Sequence, residues 1–174
     1  KTFYAVSAKF CEKGDQVTMR FESLTLRQII ARPVVLKLER PVVARIATIE
    51  DWPLILIDLH TEEGITGRSY LEPYIVKSMR YLVPALNDLS ELLQGKQVIP
   101  VEFFETARKS LQFVGYEGLA MIAASGLDMA AWDALARAAD LPLCRMLGGS
   151  VGPVKAYNSN GLWLRQPEEV AAEA

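Results

Sequence analysis

Few residues in this chain could do chemistry, and those that could are scattered. Catalysis by a serine or cysteine nucleophile needs a histidine beside it, and the only histidine is His60. It falls at the tip of an expected hairpin and reads as a solvated turn residue; a lone imidazole without further ligands also makes a poor zinc site. Carboxylates are plentiful but badly placed for acid and base work. Glu62 and Glu63 sit in a turn, and Glu168 and Glu169 open a helix, where acids favour the dipole. Asp128 and Asp133 interrupt an alanine-rich helix that otherwise reads as buried, with Trp132 beside Asp133. They are expected to cap, or to accept hydrogen bonds from, neighbouring backbone, because buried charge has to be paired. Gly148-Gly149 follows a helix and reads as its C-cap; no glycine-rich phosphate cradle of the Walker or dinucleotide type is present.

Composition narrows the classes further. The 174 residues are 51% hydrophobic and 9% aromatic, enough to fill one sizeable core. Nineteen basic and 21 acidic residues are interspersed to a formal charge of -2, which leaves no basic footprint for nucleic acid or an anionic membrane. Cys11 and Cys144 lie far apart, with neither metal-clamp nor disulfide spacing, as suits a reducing cytosol. No apolar run reaches the ~18 residues of a membrane span, and the early apolar stretches are too short and interrupted for a signal peptide. A cytoplasmic protein with small-molecule or protein partners is the expectation.

The elements that would position these residues read as an α+β unit. Lys1 to Thr18 has no clear periodicity and reads as a leader or tag-like segment ahead of Met19; the alternative is an extra strand through Phe3, Ala5 and Val6. Met19 to Leu38 predicts one or two strands broken near Pro33. Glu39 to Trp52 lacks any sustained period and reads as a loop bearing apolar side chains. Pro53 to Leu59 and Ile65 to Leu71 predict a β-hairpin around Thr61 to Gly64. The spacing of Val76, Met79, Leu82, Val83 and Leu86 predicts a helix, and a second is expected over Val101 to Leu111 after Pro100. Leu119 to Ala139, crowded with alanine, predicts a central helix that lets neighbouring backbones approach closely. Asp140-Leu141-Pro142 ends it, and Leu143 to Leu147 gives a further turn or two. The domain boundary is expected at Gly148 to Pro153, with residues 19–150 as one unit. Val154 to Tyr157 then predicts a strand, Asn158 to Trp163 a polar loop, and Gln166-Pro167-Glu168-Glu169 a helix start. Strand then helix start, after a completed α+β unit, suggests the opening of a β/α barrel over residues 151–174, cut short at Ala174.

Ser125-Gly126-Leu127-Asp128-Met129-Ala130-Ala131-Trp132-Asp133-Ala134-Leu135, followed by Leu141-Pro142-Leu143-Cys144-Arg145-Met146-Leu147-Gly148-Gly149, resembles the signature of the mandelate racemase and muconate lactonizing branch of the enolase superfamily. Pro53 to Leu59, Gly64, Gly67 to Leu71, Gly115-Tyr116 and Val154 to Tyr157 are similar to mandelate racemase too, so that the likeness runs from about Met19 to Leu162. It implies an N-terminal capping domain followed by a modified (β/α) barrel. The implied reaction abstracts the proton α to a substrate carboxylate, with magnesium stabilising the enediolate and a lysine or histidine as base. The resemblance places the base and metal ligands on later barrel strands, so no catalytic or metal-binding residue is expected within this chain.

In the family, two loops of the cap close over the barrel mouth. Val42, Ile46 and Ile49 match the first loop and Tyr74 the second, while Ser159 completes the substrate-facing set. Glu72 departs from the pattern, standing where mandelate racemases carry an aromatic side chain, and Ala44 replaces a small hydroxyl residue. A polar acid-sugar substrate thereby becomes comparable to an aryl one. The implied whole is a magnesium-dependent racemase or dehydratase of a 2-hydroxy acid or sugar acid, partnered by the remainder of its own barrel and by further copies as a homo-oligomer, with this segment inactive alone. The alternative is a stand-alone α+β binding or assembly module; a Lys-x-Lys soon after Ala174 in the reading frame would favour the enzyme.

Overall fold

The expected hairpin forms the middle and one edge of a three-stranded antiparallel sheet in a computed structural model, which describes residues 22–156 and 166–173. Strand β1 spans Leu26–Val43, β2 Thr48–Thr61 and β3 Thr66–Leu71, in the order β1-β2-β3. Alternation along the strands creates two faces. Ile29, Leu59 and Gly67 share one row of the inner face, Ala31, Ile57 and Ser69 the next, and Pro33, Ile55 and Leu71 the third.

Two expectations about this sheet are corrected. Pro33 does not break a strand: it lies within β1 opposite Ile55. β1 is an edge strand, where a missing N–H can face away from the neighbouring ladder. Nor is Glu39 to Trp52 a loop, because β1 and β2 run on together well past the end of β3, pairing Leu36 with Trp52, Lys37 with Asp51, Val42 with Ile49 and Val43 with Thr48. The period was hidden because none of the described helices covers this two-stranded arm, so neither face is steadily apolar.

Helix α1 (Met79–Leu93), preceded by a 3-10 turn at Val76–Ser78, turns Leu82, Leu86, Leu89 and Leu93 into the core. Each such side chain contributes about 1.5–3 kcal/mol on burial. The Ile29 N–H donates to Ser90 Oγ at 2.8 Å and ties this helix to β1. Helix α2 (Pro100–Ser110) opens with proline at its first turn beside Glu102 and closes with Arg108 and Lys109, a charge order that suits the helix dipole.

Helix α3 (Leu119–Ala138) is the central helix that its alanines predicted. It packs against β2, β3, α1 and α2, with Ala123, Leu127, Ala130, Ala131 and Ala134 fully buried. By length and composition alone α3 is apolar enough to cross a membrane, contrary to the expectation that no segment is; the same composition serves close packing within this core. A Cβ on Gly67 would lie 2.1 Å from the Ala130 carbonyl oxygen, so β3 and α3 touch backbone to backbone there.

Asp140, at φ 52°, takes the left-handed position that usually belongs to glycine. The Asp140 N–H donates to Arg137 O at 3.2 Å and the Leu141 N–H to Ala136 O at 2.9 Å, closing a Schellman motif. Helix α4 (Leu143–Met146) ends likewise, with Gly148 at φ 86° and the Gly149 N–H donating to Cys144 O at 2.7 Å, the C-cap that its sequence predicted. The strand expected from Val154 is corrected in its described part. Val154 to Ala156 are exposed and carry no ladder, as a parallel strand without neighbours cannot. Tyr157 lies outside the described residues. Helix α5 (Pro167–Glu173) has the expected proline start and acidic first turn.

Candidate functional site

The β1–β2 arm carries three of the six candidate residues. Val42 and Ile49 are cross-strand partners, and Ala44 to Ala47 close the turn with an Ala44 N–H to Ala47 O bond of 2.9 Å. Ile46 stands on that turn 94% exposed. Just below the tip, Leu38, Glu39, Arg40 and Pro41 face the single residue Glu50, since Lys37 pairs with Asp51 and Val42 with Ile49. Such a bulge bends and re-aims the strand that holds it. Val42 is buried, yet it is not part of the core cluster. The six residue steps from Ile55, opposite the end of β3, to Ile49 put the base of the tip about 20 Å farther along the strand.

Glu72 and Tyr74 lie in the connection from β3 to the 3-10 turn. Pro73 between them is buried, Glu72 is half-buried, and Tyr74 is 65% exposed. Tyr74 is also at φ 62°, a left-handed conformation that costs an L-residue with a side chain roughly 1–2 kcal/mol. Strained residues of this kind gather at ligand clamps and switch regions. The structure therefore unites Val42 with Ile49 on one element and Glu72 with Tyr74 on another. Ser159 lies outside the described residues.

The remaining candidates resolve into structural roles. Asp133 accepts a 2.7 Å hydrogen bond from the Arg68 N–H and pairs with Arg137 Nε at 2.6 Å, pinning α3 to β3 as a backbone acceptor. Asp128 is half-buried; burial raises its pKa, and the Trp132 indole N–H offsets part of that. Glu63 accepts the Thr25 N–H with both carboxylate oxygens, at 3.0 and 2.9 Å. His60 is corrected from a solvated turn residue to a half-buried member of β2, with Nδ1 3.0 Å from Thr66 Oγ1. Among the described residues no three of His, Cys, Asp and Glu converge. They do not fit the magnesium site that the resemblance implies.

One constellation escaped sequence reading because it needs the strand register. On the outer face of the sheet Asp58 is paired by Arg32 and approached by Arg68 Nε at 3.5 Å. The Arg32 hydrogen bond leads in holding the Asp58 carboxyl below its ordinary range, against a smaller effect of burial. An open cleft of about 430 Å³ lies here, lined in part by Leu56 and Tyr70.

Residues 26–148 match the family described as mandelate racemase / muconate lactonizing enzyme, N-terminal domain. Among curated proteins the chain is similar to a D-galactonate dehydratase of Pectobacterium atrosepticum, 30% identical over 121 residues, covering 68% of this chain and 30% of that protein. It is also similar to the L-talarate/galactarate dehydratase of Salmonella typhimurium, 43% identical over 54 residues, 31% of this chain and 14% of that protein. Among solved structures, an enolase from the alpha proteobacterium bal199 with bound magnesium is 68% identical at a TM-score of 0.84, covering 87% of this chain and 42% of that one. An enolase from Bradyrhizobium complexed with magnesium and mandelic acid is 37% identical at a TM-score of 0.72, covering 78% and 37%. The chain thus spans less than half the length of each of these relatives.

Proposed function

Because the chain belongs to the mandelate racemase and muconate lactonizing enzyme family, with residues 26–148 as its N-terminal domain, we propose that it caps and sets the specificity of a magnesium-dependent enzyme abstracting the proton α to a carboxylate. The substrate is a 2-hydroxy acid or a sugar acid, and the reaction a racemisation or dehydration. The metal and base belong to the barrel of the longer enzyme, whereas this chain supplies Val42, Ile46 and Ile49 from the arm, Glu72 and Tyr74 from the β3–α1 connection, and Ser159. Alone it is inactive.

The observation that carries this reading is the arm. A two-stranded ribbon without a helix behind it is marginal in water, yet this one extends beyond β3, bends at a bulge and ends on an exposed isoleucine. Such an element is suited to closing over a site and excluding water, which strengthens the electrostatics beneath it. Glu72, in place of an aromatic, favours hydroxylated acids over aryl ones, in keeping with the sugar-acid names among the relatives. The test is α-proton exchange in deuterated water by the whole protein, with magnesium, over a panel of aryl 2-hydroxy acids, aldonates and aldarates. Exchange on an aldonate or aldarate supports the proposal; no exchange on any member with magnesium bound removes it.

A further inference from the structure

The connection from β3 to α1 is short and anchored at both ends. Leu71 pairs with Ile55 on the last rung of β3 and is buried. Ser78 and Met79 are buried where the helical run begins, and the Ser78 N–H donates to Ile75 O at 3.0 Å. Between these anchors Pro73 is buried as well, with half-buried Glu72 before it and exposed Tyr74 after it.

At the centre the Ile75 N–H donates to Pro73 O at 2.7 Å across Tyr74, whose φ is 62°. A hydrogen bond from residue i+2 back to residue i, closed over a positive φ, is a γ-turn of the rarer and more strained kind. Strain of this sort persists only where the surrounding structure imposes it. Pro73 imposes it here in three ways. Its ring fixes its own φ, confines Glu72, the residue before it, to extended backbone, and leaves its carbonyl to close the turn over Tyr74. One buried residue thereby sets the backbone of both its neighbours.

Building on the specificity role given above to Glu72 and Tyr74, we propose that Pro73 is a positioning residue for substrate choice. It acts through those two side chains, which it presents to the substrate already ordered. Ordering a side chain at the moment of binding costs about two- to tenfold in affinity, so a connection set in advance sharpens the difference between an acid that fits and one that does not.

Two measurements test the role. The first is kcat/KM for α-proton exchange over aryl and sugar acids by the whole protein with magnesium, against its Pro73→Ala variant. The ratio between the best and the poorest acid is expected to shrink about fivefold in the variant, through KM, with kcat held within about twofold. The circular dichroism spectrum stays unchanged. The second, which needs no activity, is urea denaturation of Tyr74→Gly against Tyr74→Ala, two variants that both lack the ring and differ only in the backbone. Left-handed backbone disfavours alanine by more than glycine loses in entropy, so Tyr74→Gly is expected to fold with an equilibrium constant about threefold higher. Equal stability of that pair, or a ratio unchanged in Pro73→Ala, overturns the proposal. Wild type that exchanges no acid removes instead the specificity reading beneath it, and the positioning role with it.

Discussion

Replacing Gly67 with alanine probes how the central helix is seated. The added Cβ would stand 2.1 Å from Ala130 O and 2.8 Å from both the nitrogen and the Cβ of Ala134. These atoms belong to a helix in the middle of the core, and Ala130 and Ala134 are fully buried. No side chain can swing aside, so α3 must retreat from β3, straining the bond from the Arg68 N–H to Asp133 as it goes. Overpacking costs about 1–3 kcal/mol, and a backbone obstacle puts Gly67→Ala at the top of that range, about 3 kcal/mol. On a domain this size that lowers the melting temperature by roughly 10 °C. Gly126→Ala is the matched control. Its Cβ would meet the Cδ1 of Ile57 at 2.6 Å and the Cδ atoms of Leu71 at 3.0 Å, the far ends of side chains that can shift. Alanine also gains about 1 kcal/mol of helix propensity over glycine, so the net change should stay within about 1 kcal/mol of zero. Urea denaturation followed by circular dichroism reads both. If the two variants lose equal stability, the backbone contact between β3 and α3 is not what seats the helix.

Asp133→Ala removes the acceptor of the Arg68 N–H and the partner of Arg137, and should cost about 1–3 kcal/mol in the same assay. Asp58, held below its ordinary pKa by Arg32, contributes stability that is complete above the unfolded value of about 4 and fades as pH falls through the lower folded value. Urea titrations of the wild type and Asp58→Asn should therefore diverge at neutral pH and converge in acid. Asp128 has the opposite sign, since burial raises its pKa, so stability is lost as pH rises from the unfolded value of about 4 through the raised folded value. Asp128→Asn, which keeps an acceptor for the Trp132 indole, should be more stable than wild type at neutral pH and lose that advantage below about pH 4.

The parts of this fold legible in the sequence are those with one wet and one dry face. Met79, Leu82 and Leu86 announce α1 by spacing, and the turn chemistry of Thr61 to Gly64 between two apolar runs announces the β2–β3 hairpin. The arm was illegible for the converse reason: with no core beneath Leu38 to Trp52, charge and apolarity follow no period, and pairing can be read only from Leu36 opposite Trp52 and Val42 opposite Ile49. Pro33 misled because its effect depends on being at an edge, which the sequence does not state. Asp133 was legible as a backbone acceptor, but its partner, the Arg68 N–H, lies 65 residues away. The Arg32–Asp58–Arg68 cluster joins three strands and exists only in their register. Of the candidate site, the resemblance to the family pointed to Ile46 and Tyr74, whereas the bulge beneath the tip and the left-handed φ at Tyr74 became visible only in the fold.

The proposed function assigns the choice of substrate to the arm and the β3–α1 connection. Its most direct measurement is kcat/KM for α-proton exchange over matched aryl and sugar acids, by the whole enzyme and its Ile46→Ala, Tyr74→Ala and Glu72→Phe variants. A contact in such a pocket shifts discrimination by only ~1–3 kcal/mol. The expected result is a changed substrate order in the two alanine variants, a move toward aryl acids in Glu72→Phe, and exchange preserved in all three. An unchanged order in every variant, or loss of exchange on all substrates in correctly folded protein, would contradict it.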